Sequence, residues 1–196
     1  MNRTSTITRK TKETEIALTI DIDGTGKSEI DTGAGFLDHM LTLFARHSLV
    51  DVSLRCHGDT QVDYHHTVED IGLTLGAALD KALGDRRGIR RYGFFLLPMD
   101  ESLCEVALDL GGRPFLSYNT TVTDFFVRDF NTRLFEEFFR AVSVNARMNL
   151  HIRHTGTTTE AHHAAESVFK GFARALRAAA EHDPREQDIP SSKGVI

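Results

Sequence analysis

Tryptophan is absent from this 196-residue chain and cysteine nearly so: Cys56 and Cys104 stand apart, neither in a CxxC pair. Without a secretory signal, two isolated cysteines are expected as reduced thiols, which excludes a disulfide framework and thiolate zinc or iron–sulfur centres. Long apolar runs are also missing. No stretch approaches membrane-spanning length, the N-terminus lacks a signal-peptide core, and the basic, threonine-rich opening MNRTSTITRK is too short for a transit peptide. A cytoplasmic protein that stays off the membrane is therefore expected. Positive charge is the scarcer sign: 23 Lys and Arg against 28 Asp and Glu leave a net charge of -5, which argues against a nucleic-acid partner. What is plentiful is histidine. Ten histidines beside two thiols point to nitrogen and oxygen ligands.

Two of those histidine pairs organise the chain. Residues 64–83, YHHTVEDIGLTLGAALDKAL, recur as residues 161–180, AHHAAESVFKGFARALRAAA. Each copy opens with adjacent histidines, places a glutamate four residues after the first, and runs on at helical period without proline. The copies supply His65, His66, Glu69 and His162, His163, Glu166. Residues four apart share a helix face, so His65 and Glu69 can grip one ion, as can His162 and Glu166. The neighbouring histidine points about 100° round the helix and must serve another. One such head alone could be histidines decorating an exposed helix end. Two in one chain point to two metal sites.

The repeat extends further. Residues 15–21 alternate as a strand, turn at 23–26 and return at 27–31; residues 105–110 alternate, turn at Gly111 and Gly112 and return at 114–119, so each half is expected to open with a hairpin. Helical patterns follow at 36–47 and 132–146, the latter with Phe135, Phe138, Phe139 and Val142 as an apolar stripe. Short strands at 50–56 and 149–154 lead to the histidine helices. The expected fold is α+β, a tandem duplication of a β-β-α-β-α unit with helices packed on one face of each sheet. The halves span residues 1–92 and 93–183, joined by the basic, Gly-containing segment 84–93 and the strand-like FFLLPM, with a tail at 184–196, all in one compact unit.

The repeat also suggests further ligands. His39, in LDHM, lies 26 residues before His65, and Glu137, in FEEF, lies 25 before His162. Two quasi-equivalent sites follow: His39, His66, His162 and Glu166 at one, and His65, Glu69, Glu137 and His163 at the other, from one chain or several. Glu136 rivals Glu137, and a solvated helix face is the bland alternative for both. Elsewhere, ALTIDIDGTGK resembles the DxDGT nucleophile motif of haloacid-dehalogenase-type phosphatases, but the segment runs into a second strand, and Asp and Gly are what tight turns demand. Arg86, Arg87, Arg90 and Arg91, Arg113 after its Gly pair, and the ending IPSSKGVI are weak hints of an anion site.

LDHM (37–40), HHTVEDIG (65–72), GGRP (111–114), LHIR (150–153), HHAAESVFKGFARALR (162–177) and PSSKG (190–194), in this order and spacing, resemble the imidazoleglycerol-phosphate dehydratase family. The resemblance runs from about Arg9 to the end and implies the duplicated fold of the ribosomal protein S5 domain 2-like type. It implies two Mn2+ ions per subunit, in sites at subunit interfaces of a homo-oligomer, a hollow particle of twenty-four subunits built from trimers. Family ligands fall on His39, His65, His66, Glu69, His162, His163 and Glu166; Glu137 stands where relatives often have histidine. The loop HTGTTTEA before His162 looks a residue longer than usual. The implied reaction is dehydration of D-erythro-imidazoleglycerol phosphate to imidazole acetol phosphate in histidine biosynthesis. Metals on the ring nitrogens would favour the imidazolate, which expels the hydroxyl through a diazafulvene-like intermediate that acidifies the neighbouring C–H. Glu13 is the candidate base, His47 a positioning group or proton donor, and Glu69 and Glu166 further catalytic carboxylates. The implied substrate contacts are Glu13, His39, His47, His65, Glu69, Arg91, Arg113, His162, Lys170, Ser191, Ser192 and Lys193, several of them on the phosphate. A phosphatase using Asp21 or Asp23 and a non-catalytic metal-storage cage remain as alternatives.

Overall fold

A computed structural model describes residues 3–156 and 160–196. The longer-than-usual loop expected before His162 includes 157–159 and so lies partly outside the described residues. The elements follow in chain order as β1 (Thr4–Lys10), β2 (Thr14–Asp21), β3 (Ser28–Asp31), α1 (Gly35–Ser48), β4 (Asp51–Gly58), α2 (His65–Leu83), β5 (Tyr92–Met99), β6 (Ser102–Asp109), β7 (Phe115–Asn119), β8 (Phe126–Val127), β9 (Phe130–Asn131), α3 (Leu134–Asn145), β10 (Asn149–Gly156) and α4 (Ala161–Ala180). Two four-stranded sheets have the same order, β1-β2-β4-β3 and β5-β6-β10-β7. The duplicated α+β architecture is therefore present. Each β-β-α-β-α unit also gains a leading strand: β1 from the threonine-rich opening, and β5 from the stretch containing FFLLPM.

Strict alternation decides which face of each sheet is buried. Ile16, Leu18 and Ile20 of β2, with Val52, Leu54 and Cys56 of β4, point inward in the first half; Cys104, Val106 and Leu108 of β6, with Leu150 and Ile152 of β10, do so in the second. Helices cover that face of each sheet, and helices of opposite halves pack on each other, α1 on α4 and α2 on α3. One buried apolar cluster runs through both halves. Both cysteines are free and buried. Burial pushes their thiols up to about 11 and about 12, so neither serves as a nucleophile.

The expected hairpins did not form between the predicted strands. β2 and β3 both pair with β4, antiparallel and parallel respectively, and β6 and β7 flank β10 in the same way. A parallel pair needs a crossover, and α1 and α3 supply it. In the first turn, the amides of Thr25 and Lys27 donate to Asp51 Oδ1 at 2.8 Å each, pinning the segment to β4. The hairpins of the two four-stranded sheets are β1–β2 and β5–β6, and β8–β9 form a short separate one. Asp21 and Asp23 belong to this turn, with the Asp23 amide donating to Asp21 Oδ1 and the Asp23 carboxylate paired with Arg3. A β-strand follows where a phosphatase would continue into a helix.

The α2–α3 contact depends on Gly72 and Gly76, one turn apart on α2. A Cβ at Gly72 would lie 2.7 Å from the Phe138 carbonyl oxygen, and one at Gly76 2.8 Å from that of Val142. Backbone atoms cannot turn aside as a side chain can. We expect Gly72→Val to cost about 1–3 kcal/mol of stability by overpacking. In a domain of this size each kcal/mol lowers the melting midpoint by about 2–4 °C; an unchanged midpoint would show that the helices separate at no cost.

Candidate functional site

The heads of the histidine helices are where chemistry-bearing side chains gather. In α4, His162 and Glu166 lie one turn apart; α1, packed across α4, brings His39 to the same point. The His39 Nε2–H donates to Glu166 Oε1 at 2.7 Å, and the His162 Nε2–H to the same oxygen at 3.2 Å. A carboxylate can only accept, so both nitrogens carry protons in this state. Lys170, a further turn along α4, donates to the other oxygen, Glu166 Oε2, at 2.6 Å. Burial raises the Glu166 pKa, but the bonds from Lys170, His39 and His162 outweigh it and hold the carboxyl near 2. The Glu166 side chain is 12% exposed beneath histidines that are 43% and 46% exposed, so the three donors form a tripod with a buried floor and an open mouth. Two imidazoles and a carboxylate, with ligand atoms all within 4.8 Å of one another, suit a divalent transition cation that would replace the two Nε2 protons.

The other predicted ligands are distributed differently. His65 lies 3.6 Å from Glu69 at the head of α2, as the four-residue spacing requires. The rings of His65 and His66 stand at 81° to each other, and those of His162 and His163 at 86°, so each pair faces two directions. His66 Nδ1–H donates to Asp59 at 3.0 Å, and its Nε2 lies 3.8 Å from Glu13 Oε1. His163 Nδ1–H donates to Glu101 at 3.0 Å. His66 is thus apart from the His39 tripod, and Glu137 and His163 are not gathered with His65 and Glu69 among the described residues. Glu136 and Glu137 both pair with Arg140, at 2.8 and 3.7 Å. They line a groove of about 550 Å³ that contains none of these histidines.

His47 sits two turns beyond His39 on α1. Burial, then Lys170, Arg174 and Arg46, lowers its pKa, so the ring is neutral at pH 7 and suits positioning more than proton donation. Phe36, of the same helix, packs edge-on to His162, with ring centroids 5.2 Å apart and planes at 61°. Asp59, Glu101 and Phe36 had not been singled out in the sequence; the repeat offers a signal for Glu101 alone, as the counterpart of Glu13.

The basic residues form a separate locus. Arg91 forks onto Asp109 at 2.7 and 3.0 Å and donates to the Pro190 carbonyl at 2.8 Å, so it holds the tail. The tail then reaches the GG turn, where Ile196 would meet a Cβ built on Gly112 at 2.9 Å. Arg113, Ser192 and Lys193 are exposed there, with Ser191 half-buried. This cluster lies at the Asp109 end of β6, whereas Glu166 and Lys170 lie at the Met99–Ser102 end, where Lys170 touches Met99. Strand rise separates the two ends by about 20–25 Å.

A family model described as imidazoleglycerol-phosphate dehydratase matches residues 32–176. The imidazoleglycerol-phosphate dehydratase of Methylorubrum populi is 54% identical over 195 residues, covering 99% of this chain and 100% of the relative. That of Xanthobacter autotrophicus is also 54% identical, over 99% and 98%. Among solved structures, the dehydratase of Staphylococcus aureus superposes with a TM-score of 0.83 at 39% identity, covering 92% of this chain and 99% of that one. The Pyrococcus furiosus protein, in complex with (S)-C348, gives 0.81 at 34%, covering 97% and 100%.

The Glu166 geometry generates a pH prediction. Its folded pKa of about 2 lies below the ordinary 4.5, so in that window the unfolded chain binds more protons. Its contribution is present above pH 4.5 and lost as pH falls toward 2. Urea unfolding of metal-free protein should show this acid loss, and Glu166→Gln should flatten it; equal slopes for both proteins would refute the assignment.

Proposed function

The chain belongs to the imidazoleglycerol-phosphate dehydratase family and is a lyase; from that premise we propose how its own residues remove water from D-erythro-imidazoleglycerol phosphate in histidine biosynthesis, in the cytoplasm. The observation that carries the proposal is the convergence of His39, His162 and Glu166 in one chain, with His66 facing elsewhere. Two sites are then completed between chains of a homo-oligomer, a particle of twenty-four subunits built from trimers. One takes His39, His162 and Glu166 from one chain and His66 from another; the other takes His65, Glu69 and Glu137 with His163. The separation of the α4 histidine head from the Arg91–Arg113–Lys193 locus supports the same reading. That gap exceeds the reach of a three-carbon phosphate ester, so a substrate touching both must bridge chains.

The donor set fits Mn2+, two per subunit: imidazole nitrogens and carboxylates without thiolate. When bound, the cations supply positive charge at the imidazole ring and so favour its anionic form. The remaining work falls to the chain. Arg113, Ser191, Ser192 and Lys193 hold the phosphate, while Arg91 orders the tail that carries three of them and so indirectly places the glycerol carbons. Hydroxide leaves the carbon attached to the ring as the ring electrons move in, departs as water with the proton that the ring nitrogen gave up, and the next carbon becomes acidic. Glu13, exposed at the β1–β2 turn and 3.8 Å from His66, takes that proton. The resulting enol tautomerises to the ketone. His47, neutral at pH 7, accepts a hydrogen bond from the substrate hydroxyl, and Lys170 counters the charge of Glu166.

Metal-stripped protein incubated with the substrate should yield the keto product only after manganese is added, and should release no inorganic phosphate. Folded, metal-loaded protein that makes no ketone would overturn the proposal, and free phosphate would favour the phosphatase alternative. Glu13→Gln should lower turnover by about 10²–10⁴-fold with substrate affinity kept; lost binding with normal turnover would remove Glu13 from the chemistry. Shared sites have their own signature. His66→Ala and His162→Ala chains, each inactive alone, should regain activity when co-assembled, whereas mixtures that stay inactive would place each site within one chain.

A further inference from the structure

The second histidine of each pair is held on its Nδ1 side, and the two halves do this with carboxylates from different places. In the first half the acceptor is Asp59, just beyond β4, and Glu13 of the β1–β2 turn lies on the Nε2 side of His66. In the second half the acceptor is Glu101, of the β5–β6 turn. Strand register relates these positions. Asp21 faces Asp51 across β2–β4, and Asp109 faces Asn149 across β6–β10, so residues 88 apart correspond on β2 and β6 and residues 98 apart on β4 and β10. The left-handed residues Leu49 and Arg147, which precede β4 and β10, keep the second spacing. Glu101 is therefore the counterpart of Glu13. Counted along the sequence, the position 98 residues after Asp59 is Thr157, which carries no carboxylate and lies outside the described residues.

We propose that Asp59 and Glu101 are positioning residues: each accepts the Nδ1–H of its histidine, His66 or His163, and so presents the Nε2 lone pair to a metal ion. On this assignment the internal repeat has divided one ancestral turn position between two tasks. Glu101 orients His163, and Glu13, relieved of that task by Asp59, is left to move the substrate proton. The physical basis is general: a ring nitrogen that donates to a carboxylate fixes the tautomer and orientation of the other and makes it a better ligand. Asp100, next to Glu101, also lies within 4.8 Å of the His163 ligand atom and serves as the internal control.

The inference rests on the reading of His66 and His163 as ligands, and the test separates the two. Metal-stripped full-length protein is titrated with Mn2+, with the free ion followed by its electron paramagnetic resonance signal. Glu101→Ala should weaken one class of sites by about 10–100-fold and Asp59→Ala the other, while Asp100→Ala leaves both unchanged. Glu101→Gln, which keeps size and an acceptor oxygen, should fall between wild type and Glu101→Ala and guards against loss of folding. Nitrogen-15 shifts of His163 report the tautomer directly and should move in Glu101→Ala but not in Asp100→Ala. Unchanged affinity and tautomer in the Glu101 variants would overturn the inference while leaving the ligand reading intact. Wild-type protein that takes up no Mn2+ would overturn both. A turnover defect at saturating Mn2+ with unchanged affinity would make Glu101 a second base, contrary to the division proposed.

Discussion

The packing of each half's helices on those of the other half is the constraint on which the rest depends. Neither sheet can bury its apolar face with its own two helices and leave them free, because α1 lies on α4 and α2 on α3 within one continuous core. The Gly72 and Gly76 positions let α2 and α3 approach to backbone contact. The other crossing has a chemical result: α1 carries His39 to Glu166, a residue of the opposite half. The tripod is a consequence of how the core is closed.

Glu166 then ties packing to charge. A carboxylate with 12% of its side chain exposed would be costly if it lacked partners. It has two imidazole donors on one oxygen and Lys170 on the other. The cluster is satisfied without a metal, yet the two histidine protons can be exchanged for a cation at an open mouth. A site of this kind holds its geometry before its ion arrives, which reduces the ordering cost of binding.

The two halves share a backbone plan but have diverged at the positions that matter chemically. His39 and Glu137 both follow the 98-residue correspondence, as do Leu49 and Arg147 in left-handed backbone. Even so, Glu137 pairs with Arg140 where His39 meets Glu166. Glu13 and Glu101 share a turn position but contact different sides of their histidines. A duplicated fold thus offers the same places twice, and the side chains placed there decide which task each performs.

Much of this was legible in the residues. Alternation marked β2, β4, β6 and β10, the phenylalanine stripe marked α3, and the histidine heads marked α2 and α4, because period and side-chain type are local properties. The four-residue spacing of His65 with Glu69 and of His162 with Glu166 needed nothing beyond helix geometry. Strand pairing was not legible: the turn residues after β2 suit a hairpin equally well, and contacts with β4, among them Asp51 accepting the amides of Thr25 and Lys27, hold that segment in a parallel pair. The repeat put His39 with His162 and Glu166, but spacing could not say that His66 turns instead to Asp59, since that partner follows from how the loop beyond β4 is placed. The sequence by itself determined which side chains each helix head carries and in which directions they point. The tertiary structure alone decided their partners, because partners are set by which helix faces close the common core.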